Sequence, residues 1–303
     1  MLNKCLLFFA LLCSGAVFAT PFGVEQVAPG VYVHRGEHRD MNAGYGGDIC
    51  NIGFIIGSKG VAVIDSGGSP RIGAQLREAI HKVTSLPILF VINTHVHPDH
   101  VFGNAAFKED KPTFVGHENL PASMEQRQEA YLRNQPEWVD VDAAGSELIP
   151  PALRIKGTQK IDLGGRTLLL TAHSPAHSHS DLTIFDDASG TLWTGDLLFI
   201  ERTPSIDGDL RGWLQIIPKL RAIPAARAIP GHGPVTQDWH GAFDNEQRYL
   251  TTLLEEVRAA IKQGLGLQQT IESAVQSEGG KWVLFDTINR RNIGFVYLVL
   301  EWE

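Results

Sequence analysis

Residues 95–100 read His-Val-His-Pro-Asp-His, and this hexapeptide carries the strongest chemical signal in the chain. Nitrogen and carboxylate donors at this density suit zinc or a similar first-row metal. On a tight turn after an apolar strand, His95 and His97 can point one way while Asp99 and His100 point another. Four donors from one short turn would crowd a single ion, so the spacing favours two neighbouring metals.

Three further donors follow predicted strands elsewhere in the chain. His177 lies in a turn between two strands, Asp196 closes a strand, and His232 stands between two glycines. Glycine lets the backbone turn sharply and approach a ligand closely. Taken singly these signals are weak, because an aspartate after a strand is more often a turn former and a histidine-rich loop can be merely solvated. Taken together with the hexapeptide, five histidines and two aspartates predict a double metal site.

Charge and composition exclude one class of partner. The 303 residues carry a formal net charge of -8, so the chain lacks the clustered basic surface that neutralises a phosphate backbone. Nucleic acid is therefore not an expected partner, whereas a small-molecule substrate is. With 43% hydrophobic residues, the chain can bury one large core or two modest ones.

The first nineteen residues have the pattern of a cleavable secretory signal peptide. Lys4 supplies the positive end, residues 6–18 are almost entirely apolar, and a small-residue cleavage site ends at Ala19. The apolar run is short for a membrane span, and no later segment is long enough. We therefore expect a periplasmic or secreted protein that begins at Thr20 after cleavage.

Cleavage would remove Cys5 and Cys13 and leave Cys50 without a disulfide partner. The position of Cys50 beside the strand-like run 52–56 predicts a buried, unreactive thiol. A reactive thiol is the alternative.

Apolar runs bounded by glycine alternate with helical patterns along the chain. The strand signals lie at residues 31–33, 52–56, 61–65, 89–93, 168–171, 182–185 and 191–194. Apolar residues at helical spacing follow Ser69-Pro70, begin again at Trp213 and recur over residues 243–261. This alternation places the chain among α/β or layered α+β folds.

Two segments of the chain repeat one order of elements. In the first, a strand ends at Asp65, a helix follows, and the next strand leads to His95. In the second, a strand ends at Asp196, a helix follows, and the next strand leads to His232. The repetition predicts two similar halves packed face to face, with metal donors meeting at one edge.

The ordered donors resemble the signature of the metallo-β-lactamase superfamily, and residues 63–67 resemble its early strand and acidic turn. The resemblance implies an αββα sandwich, which is a four-layer α+β fold of two mixed β-sheets flanked by helices. It covers residues 25–240 or so. We accordingly divide the chain into a signal peptide at 1–19, a metallo-β-lactamase-like domain at 20–240 and a C-terminal helical extension packed on the core at 241–303.

The resemblance also implies the role of each ligand. It assigns His95, His97 and His177 to a first metal, Asp99, His100 and His232 to a second, and Asp196 to both as a bridge. Two zinc ions are implied, with iron or manganese as other candidates. An acid at the bridging position, here Asp196, resembles the pattern of the hydroxyacylglutathione-hydrolase branch of the superfamily. True β-lactamases usually carry cysteine or serine near that place, which argues against an antibiotic substrate.

Residues 195–213, together with the predicted export, resemble the exported zinc metallohydrolases of periplasmic quinoprotein systems (SoxH-like). The implied chemistry is hydrolysis of an ester, thioester or lactone-like or lactam-like bond, because two divalent ions lower the pKa of a shared water and make hydroxide available. Asp99 would bind metal and orient that hydroxide, and is therefore the expected catalytic residue.

Two other functions share much of this pattern. A mononuclear iron oxygenase of the persulfide-oxidising kind needs only donors such as His95, His177 and Asp196. The other is a non-catalytic metal or quinone-system accessory protein, although a carrier has little need of two complete donor sets. Metal analysis separates the enzymes, because two zinc per chain favour hydrolysis and one iron favours oxygenation.

Several nearby residues receive structural interpretations. His179 cannot face the same metal as His177 from one turn, so His177 is favoured as the ligand, and His173 is taken as structural. Residues 118–138 are expected to form a helix over the site. His117 directly precedes that segment and Tyr131 lies within it. Both side chains are expected to pack rather than to line the pocket.

Arg202 and Arg211 flank an acidic turn at 207–209. Binding of an anionic substrate is one interpretation, and surface ion pairing with the turn is the favoured one. Residues 285–303 show mixed periodicity, so they are expected to form a last helix or strand that packs on the core, without an exact place or a function.

Overall fold

The computed structural model describes residues 22–42 and 44–302. The predicted signal peptide at 1–19 lies outside these residues. Within the described part of the chain, every helix is too short or too polar to cross a membrane.

The first sheet contains seven strands whose spatial order follows the chain: β1 (Glu25–Ala28), β2 (Val31–His34), β3 (Ile52–Ile56), β4 (Val61–Ile64), β5 (Ile88–Ile92), β6 (Thr113–His117) and β7 (Leu153–Ile155). The first four strands pair antiparallel, and β4 to β7 pair parallel. The parallel half matters for function, because the carboxyl ends of parallel strands meet at one edge of the sheet.

The second sheet contains five strands: β8 (Thr158–Asp162), β9 (Thr167–Ala172), β10 (Leu182–Asp186), β11 (Thr191–Phe199) and β12 (Arg227–His232). Its spatial order also follows the chain, and among its described strands only β11 and β12 pair parallel. Both sheets are therefore mixed, as the sequence predicted.

Strand β4 shows why the sheets stack with a helix layer outside. All its side chains are buried, as in a strand covered on both faces. Ala62 and Ile64 face the second sheet and join a cluster with Leu170 and Ile184. Val61 and Val63 face the opposite way and join a cluster with helix α1 (Pro70–Val83).

Helix α1 begins where the sequence predicted. Ser69 caps it by accepting the backbone N–H of Ile72, and Pro70 occupies its first turn. Its apolar stripe, including Leu76 and Ile80, covers the outer face of the first sheet. The short helix α2 (Pro98–Val101) contains part of the hexapeptide, and a 3₁₀ segment (Phe102–Asp110) continues it. Helix α3 (Leu120–Val139), followed by a 3₁₀ turn (Asp140–Ala143), lies beside them.

The outer face of the second sheet is covered by the remaining helices: α4 (Leu210–Arg221), α5 (Trp239–Lys262), α6 (Leu267–Ser273) and α7 (Phe285–Leu300), with a 3₁₀ turn (Gln276–Glu278). Trp213, Phe243, Leu253 and Val296 share one buried cluster there. The result is four layers, helices–sheet–sheet–helices, and the predicted αββα sandwich is confirmed. The segment that the sequence left unplaced forms α7.

Candidate metal centre

The structure brings all seven predicted donors to one edge of the sandwich, where the two sheets meet. The hexapeptide follows β5, His177 lies between β9 and β10, Asp196 lies within β11, and His232 ends β12. Six of the seven side chains are almost fully buried, and His97 is the most exposed. The first and last of these donors are more than a hundred residues apart in the sequence, and the stacking of the two sheets brings them together.

Four donors form what we call the first donor set. Nε2 of His95 lies 3.1 Å from Nδ1 of His97, which lies 2.9 Å from Nε2 of His177. Oδ2 of Asp196 lies 3.4 Å from the His177 nitrogen and 3.8 Å from that of His95. All four ligand atoms lie within 4.8 Å of one another, the spacing of atoms that surround a single ion.

The second donor set shares Asp196 with the first. Nε2 of His100 lies 3.2 Å from Oδ1 of Asp196 and 3.5 Å from Oδ2 of Asp99. Nε2 of His232 lies 3.3 Å from Oδ2 of Asp196 and 3.4 Å from Oδ2 of Asp99. The Asp196 carboxylate therefore stands between two groups of three donors, where a bridging ligand would have to lie.

The opposite ring nitrogen of each histidine is also engaged, which fixes the orientation of the imidazole. These contacts are His95 Nδ1 with Thr94 Oγ1 at 2.9 Å, His97 Nε2 with Asp207 Oδ2 at 2.9 Å, His100 Nδ1 with Asp65 Oδ2 at 2.8 Å, His177 Nδ1 with Ser205 O at 2.7 Å, and His232 Nδ1 with Ile49 O at 2.7 Å. Each partner can accept an N–H. The nitrogen that faces the other donors is then left with its lone pair free.

Asp65 organises two of these histidines at once. Its Oδ1 accepts the backbone N–H of Thr94, and its Oδ2 accepts the Thr94 hydroxyl and the N–H of His100. The Thr94 oxygen in turn accepts from His95. Asp65 has φ +52°, a backbone region that aspartate tolerates better than most residues. One buried carboxylate thus positions donors of both sets.

The glycine before His232 is needed for close approach. A methyl group on Gly231 would lie 1.8 Å from Oδ1 of Asp196. Asn51, which directly precedes β3, holds the same turn, because its side-chain amide donates to the carbonyl oxygens of Pro230 and Gly233 at 2.8 Å.

Burial and charge set the protonation of the donors. Burial lowers the pKa of His95 well below its usual value and that of His177 to about 3, so both imidazoles are neutral and able to bind a cation. Burial alone would raise the pKa of Asp196, but the neighbouring histidines, led by His232 and His100, hold it well below its usual range. The centre therefore combines an ionised carboxylate at Asp196 with neutral imidazoles at His95 and His177. Burial would lower the pKa of His100, but the negative groups around it raise that pKa well above its usual value.

Two buried polar atoms in the second donor set have no hydrogen-bond partner among the described residues. They are Nε2 of His100 and Oδ1 of Asp196, which lie 3.2 Å apart. Buried polar atoms are rarely left unpaired, because the loss of hydration is costly. Both atoms face the space that a second cation would occupy, so the residues present fit a metal at this position.

A cavity of about 460 Å³ opens onto the two donor sets. Its floor includes His97, Asp99, Asp196 and His232. Helix α3 contributes Tyr131 to one wall, and α7 and the loop after β11 contribute others. The size suits a small organic molecule.

The structure corrects two interpretations made from the sequence. Tyr131 lines the cavity, although packing away from it was favoured, because α3 crosses the mouth of the site. Arg202 was expected to pair at the surface with the acidic turn at 207–209. Its side chain is instead 5% exposed and lies against His232, and Asp207 pairs with Arg127 of α3 and with His97.

Other sequence interpretations agree with the structure. His177 is buried in the centre, while His179 is exposed on the same turn. His117 packs with its Nε2 3.0 Å from the carbonyl oxygen of His173. Cys50 is 2% exposed, its thiol donates to the carbonyl oxygen of Asp99, and burial raises its pKa to about 12.

The sequence did not identify the residues that orient the donors. Ser205 and Ile49 contribute backbone carbonyls, which leave no sequence signal. Asp207 was assigned to a surface turn, and Thr94 was passed over although it directly precedes the hexapeptide. Their roles follow from contacts between distant segments, which only the folded chain shows.

Two mixed sheets between helix layers, with a His-x-His-x-Asp-His turn at their shared edge, define a class of αββα metalloprotein. A family model described as the metallo-beta-lactamase superfamily matches residues 45–232. The chain belongs to the metallo-β-lactamase superfamily, whose enzymes typically bind metal ions.

A curated relative and several solved structures are similar to the chain. The atrochrysone carboxyl ACP thioesterase AgnL7 of Paecilomyces divaricatus is 24% identical over 255 residues, which is 84% of this chain and 72% of the relative. The inverting sec-alkylsulfatase Pisa1 from a Pseudomonas species shares 17% identity with a TM-score of 0.71 over 91% of this chain. This chain spans 50% of that sulfatase's length. A metallo-beta-lactamase from Pontibacter korlensis shares 16% identity with a TM-score of 0.59, over 75% of this chain and 98% of its own.

Proposed function

We propose that this protein is an exported hydrolase that uses two divalent cations to cleave an ester, thioester or lactone-like or lactam-like bond. Zinc is the first candidate for both positions, with iron or manganese as alternatives. One observation carries the proposal: two groups of three donors, all but His97 almost fully buried, meet at the carboxylate of Asp196. Imidazole and carboxylate donors together suit zinc and its first-row neighbours.

Each of the two donor sets would hold one cation. His95, His97 and His177 would hold one cation, Asp99, His100 and His232 the other, and Asp196 both. Divalent cations in such a site polarise a carbonyl and acidify water enough to supply a hydroxide nucleophile near neutral pH.

Asp99 is the proposed catalytic residue. Its side chain faces the cavity and its Oδ2 lies among the second donor set. A carboxylate accepts hydrogen bonds only, so Asp99 would orient the attacking water by accepting one of its protons in a hydrogen bond.

The comparisons support hydrolysis of an ester-like bond over other chemistry. The curated relative is described as a thioesterase, and a solved structure that matches 91% of this chain is an alkylsulfatase. The carboxylate of Asp196 at the centre of both donor sets is the reason we place an ester or thioester ahead of a β-lactam.

Export and a link to periplasmic quinoprotein systems complete the proposal. Export is supported by the charge and apolar pattern of residues 1–19, and the link by the resemblance of residues 195–213 to SoxH-like metallohydrolases. Expression of the full chain with fractionation of the cells tests the first part. Mass spectrometry should find a mature protein that begins at Thr20, whereas an intact N-terminus in the cytoplasm would contradict export.

The function is tested with a panel of ester, thioester, lactone and β-lactam substrates on protein of known metal content. We expect turnover with two zinc ions per chain. His97→Ala, Asp99→Ala and His177→Ala should abolish it and leave the protein soluble. His179→Ala is the matched control, because this exposed histidine lies on the same turn as His177, and it should retain activity.

Two results would contradict the proposal. One iron per chain with oxygen consumption would indicate a mononuclear oxygenase, which has no use for Asp99, His100 and His232 as ligands. Bound metal without turnover on any substrate of the panel would indicate an accessory metal-binding protein.

A further inference from the structure

Asn292 of helix α7 is a buried polar side chain that bonds to the loop between β11 and α4, and it is 1% exposed. Its Oδ1 accepts the backbone N–H of Ile206 at 3.1 Å. Its Nδ2 donates to the carbonyl oxygen of Pro204 at 2.6 Å. A single side chain therefore holds the loop on both sides of the one residue between these contacts, Ser205.

Ser205 supplies the carbonyl oxygen that lies 2.7 Å from Nδ1 of His177. Nε2 of the same ring belongs to the first donor set. A histidine that binds a metal through one ring nitrogen commonly donates a hydrogen bond from the other, and that second contact fixes the orientation and the tautomer of the ring. The position of the Ser205 carbonyl therefore determines how His177 presents its lone pair to a cation.

Other contacts hold the two ends of this loop segment. The backbone N–H of Thr203 donates to the chain just before α7, and that of Asp207 donates to the carbonyl oxygen of His177 at 3.0 Å. The three residues between these anchors form neither helix nor strand. Buried backbone groups outside regular structure need partners elsewhere, and the side chain of Asn292 supplies two of them at the place where Ser205 must be held.

The hydrogen-bonding groups of Asn292 are committed to the protein itself. A side-chain amide has two N–H donors, and the second of them donates to the hydroxyl of Tyr249 at 2.8 Å. That hydroxyl in turn donates to Oδ1 of Asn289 at 3.0 Å. Although Asn292 lies in the wall of the cavity, both of its N–H groups are engaged, so its place is explained by the loop rather than by a substrate.

We propose that Asn292 is a positioning residue of the metal centre, which holds the Ser205 carbonyl in place and thereby fixes His177 for the first cation. Helix α7 is then part of the functional site and not only a cover for the second sheet. This inference rests on the proposed function, because it takes the first donor set to bind a cation, but it is independent of which bond is hydrolysed.

The test is a two-site zinc titration of metal-free protein carrying Asn292→Ala. The affinity of the first site should fall about tenfold and that of the second should stay unchanged, because contacts that orient a metal-binding histidine are worth about 10- to 100-fold and Asn292 acts through one of them. Asn289→Ala is the matched control. Asn289 is buried in the same helix and bonds to Tyr249 rather than to the loop, so this variant should keep both zinc affinities.

Proton NMR of the His177 Nδ1–H gives a signature that a general loss of stability does not produce. The signal is assigned in zinc-loaded protein by its absence from His177→Gln. Its exchange with water should be about tenfold faster in Asn292→Ala than in wild type, because the loop that carries the acceptor opens more often. Asn289→Ala should exchange at the wild-type rate.

A measurement on wild-type protein keeps the inference testable even when Asn292→Ala does not fold. The backbone N–H of Ile206 should exchange as slowly as those of strand β11, because its acceptor is the buried Oδ1 of Asn292. Exchange at the rate of an exposed loop would overturn the inference.

Two results with the variants would also overturn it. The first is an unchanged affinity of the first zinc site in Asn292→Ala. The second is an equal loss at both sites in Asn292→Ala and Asn289→Ala, which would make Asn292 a support of the fold alone. If wild-type protein binds zinc but hydrolyses no substrate of the panel, the proposed function fails, and the titration still decides the role of Asn292.

Discussion

Oδ2 of Asp207 lies 2.9 Å from Nε2 of His97 and also accepts a hydrogen bond from Arg127 of helix α3. A single carboxylate therefore connects a donor of the first set to the helix that crosses the cavity. Burial would raise the pKa of Asp207, but the hydrogen bond from His97 and the charge of Arg127 hold that pKa well below its usual value. Asp207 is thus ionised throughout the neutral range.

Asp207→Ala should weaken metal binding about 10- to 100-fold, because His97 loses the contact that fixes its ring and its tautomer. Isothermal titration of metal-free protein with zinc measures the change. Asp209→Ala is the control, since Asp209 caps helix α4 by accepting the N–H of Arg211. Its loss should cost about 1 kcal/mol of stability and leave zinc affinity unchanged. Equal zinc affinity in wild type and the Asp207 variant would contradict the positioning role.

Asp65→Asn tests the carboxylate that positions both donor sets. Asparagine tolerates the backbone conformation of residue 65, but it has only one accepting oxygen. In one orientation of the side chain, its NH₂ group would face the backbone N–H of Thr94. In the other, it would face two donors, the Thr94 hydroxyl and the N–H of His100. We expect about a 10- to 100-fold loss of zinc affinity.

Thr94→Val provides the comparison for Asp65. It removes the hydroxyl that accepts from His95 and leaves the contact of Asp65 with His100 in place. It should therefore weaken the first zinc site and spare the second. A two-site titration that shows the same loss in both variants would contradict this division of roles.

Glycine substitutions in two helices should have opposite effects on stability. A methyl group on Gly73 of α1 would lie 2.2 Å from the carbonyl oxygen of Gly103, whereas one on Gly294 of α7 would meet no atom of the part of the chain that the structure describes within 4 Å. Gly73→Ala should lower the free energy of unfolding by about 1–3 kcal/mol through overpacking. Gly294→Ala should raise it by about 0.5–1 kcal/mol through helix propensity. Urea denaturation measures both, and a stabilised Gly73 variant would show that α1 does not approach Gly103 so closely.

Glu278 should make the stability of the C-terminal helices depend on pH. Burial would raise its pKa, but hydrogen bonds from Arg248, Trp282 and Lys281 lower it to about 2. A carboxylate with a lowered pKa contributes stability that is complete above its unfolded value near 4.5 and is lost as the pH falls towards 2. Glu278→Gln should therefore cost about 3 kcal/mol at pH 7 and progressively less below pH 4.5. A difference between variant and wild type that stays constant from pH 7 to pH 3 would contradict this account.

Much of the fold follows from local pattern, and the exceptions have physical reasons. The apolar residues of β3 and the Ser69–Pro70 cap of α1 were sufficient to predict those elements. The short strands β1, β7 and β8 were missed, because few of their residues are buried and apolar. Strand β6 was missed as well. The segment that forms helix α7 was left open between a helix and a strand, because Asn289 and Asn292 are buried within it and bond to Tyr249, which interrupts the apolar stripe.

The candidate site divides in the same way. The donors were predictable because their types and order are unusual, above all in the hexapeptide. The residues around the donors were not predictable, since Arg202 and Asp207 lie in a polar stretch whose composition is typical of a solvated loop. Their contacts with His232 and His97 span 30 and 110 residues, and no local pattern encodes such distances.

The most direct test of the central claim is the number of zinc ions bound by metal-free protein and by its Asp196→Ala variant. Because Asp196 belongs to both donor sets, we predict two zinc ions per wild-type chain and a marked weakening of both sites in the variant. A wild-type chain that saturates at one zinc ion, or a variant that binds two with unchanged affinity, would contradict a centre built around a shared carboxylate.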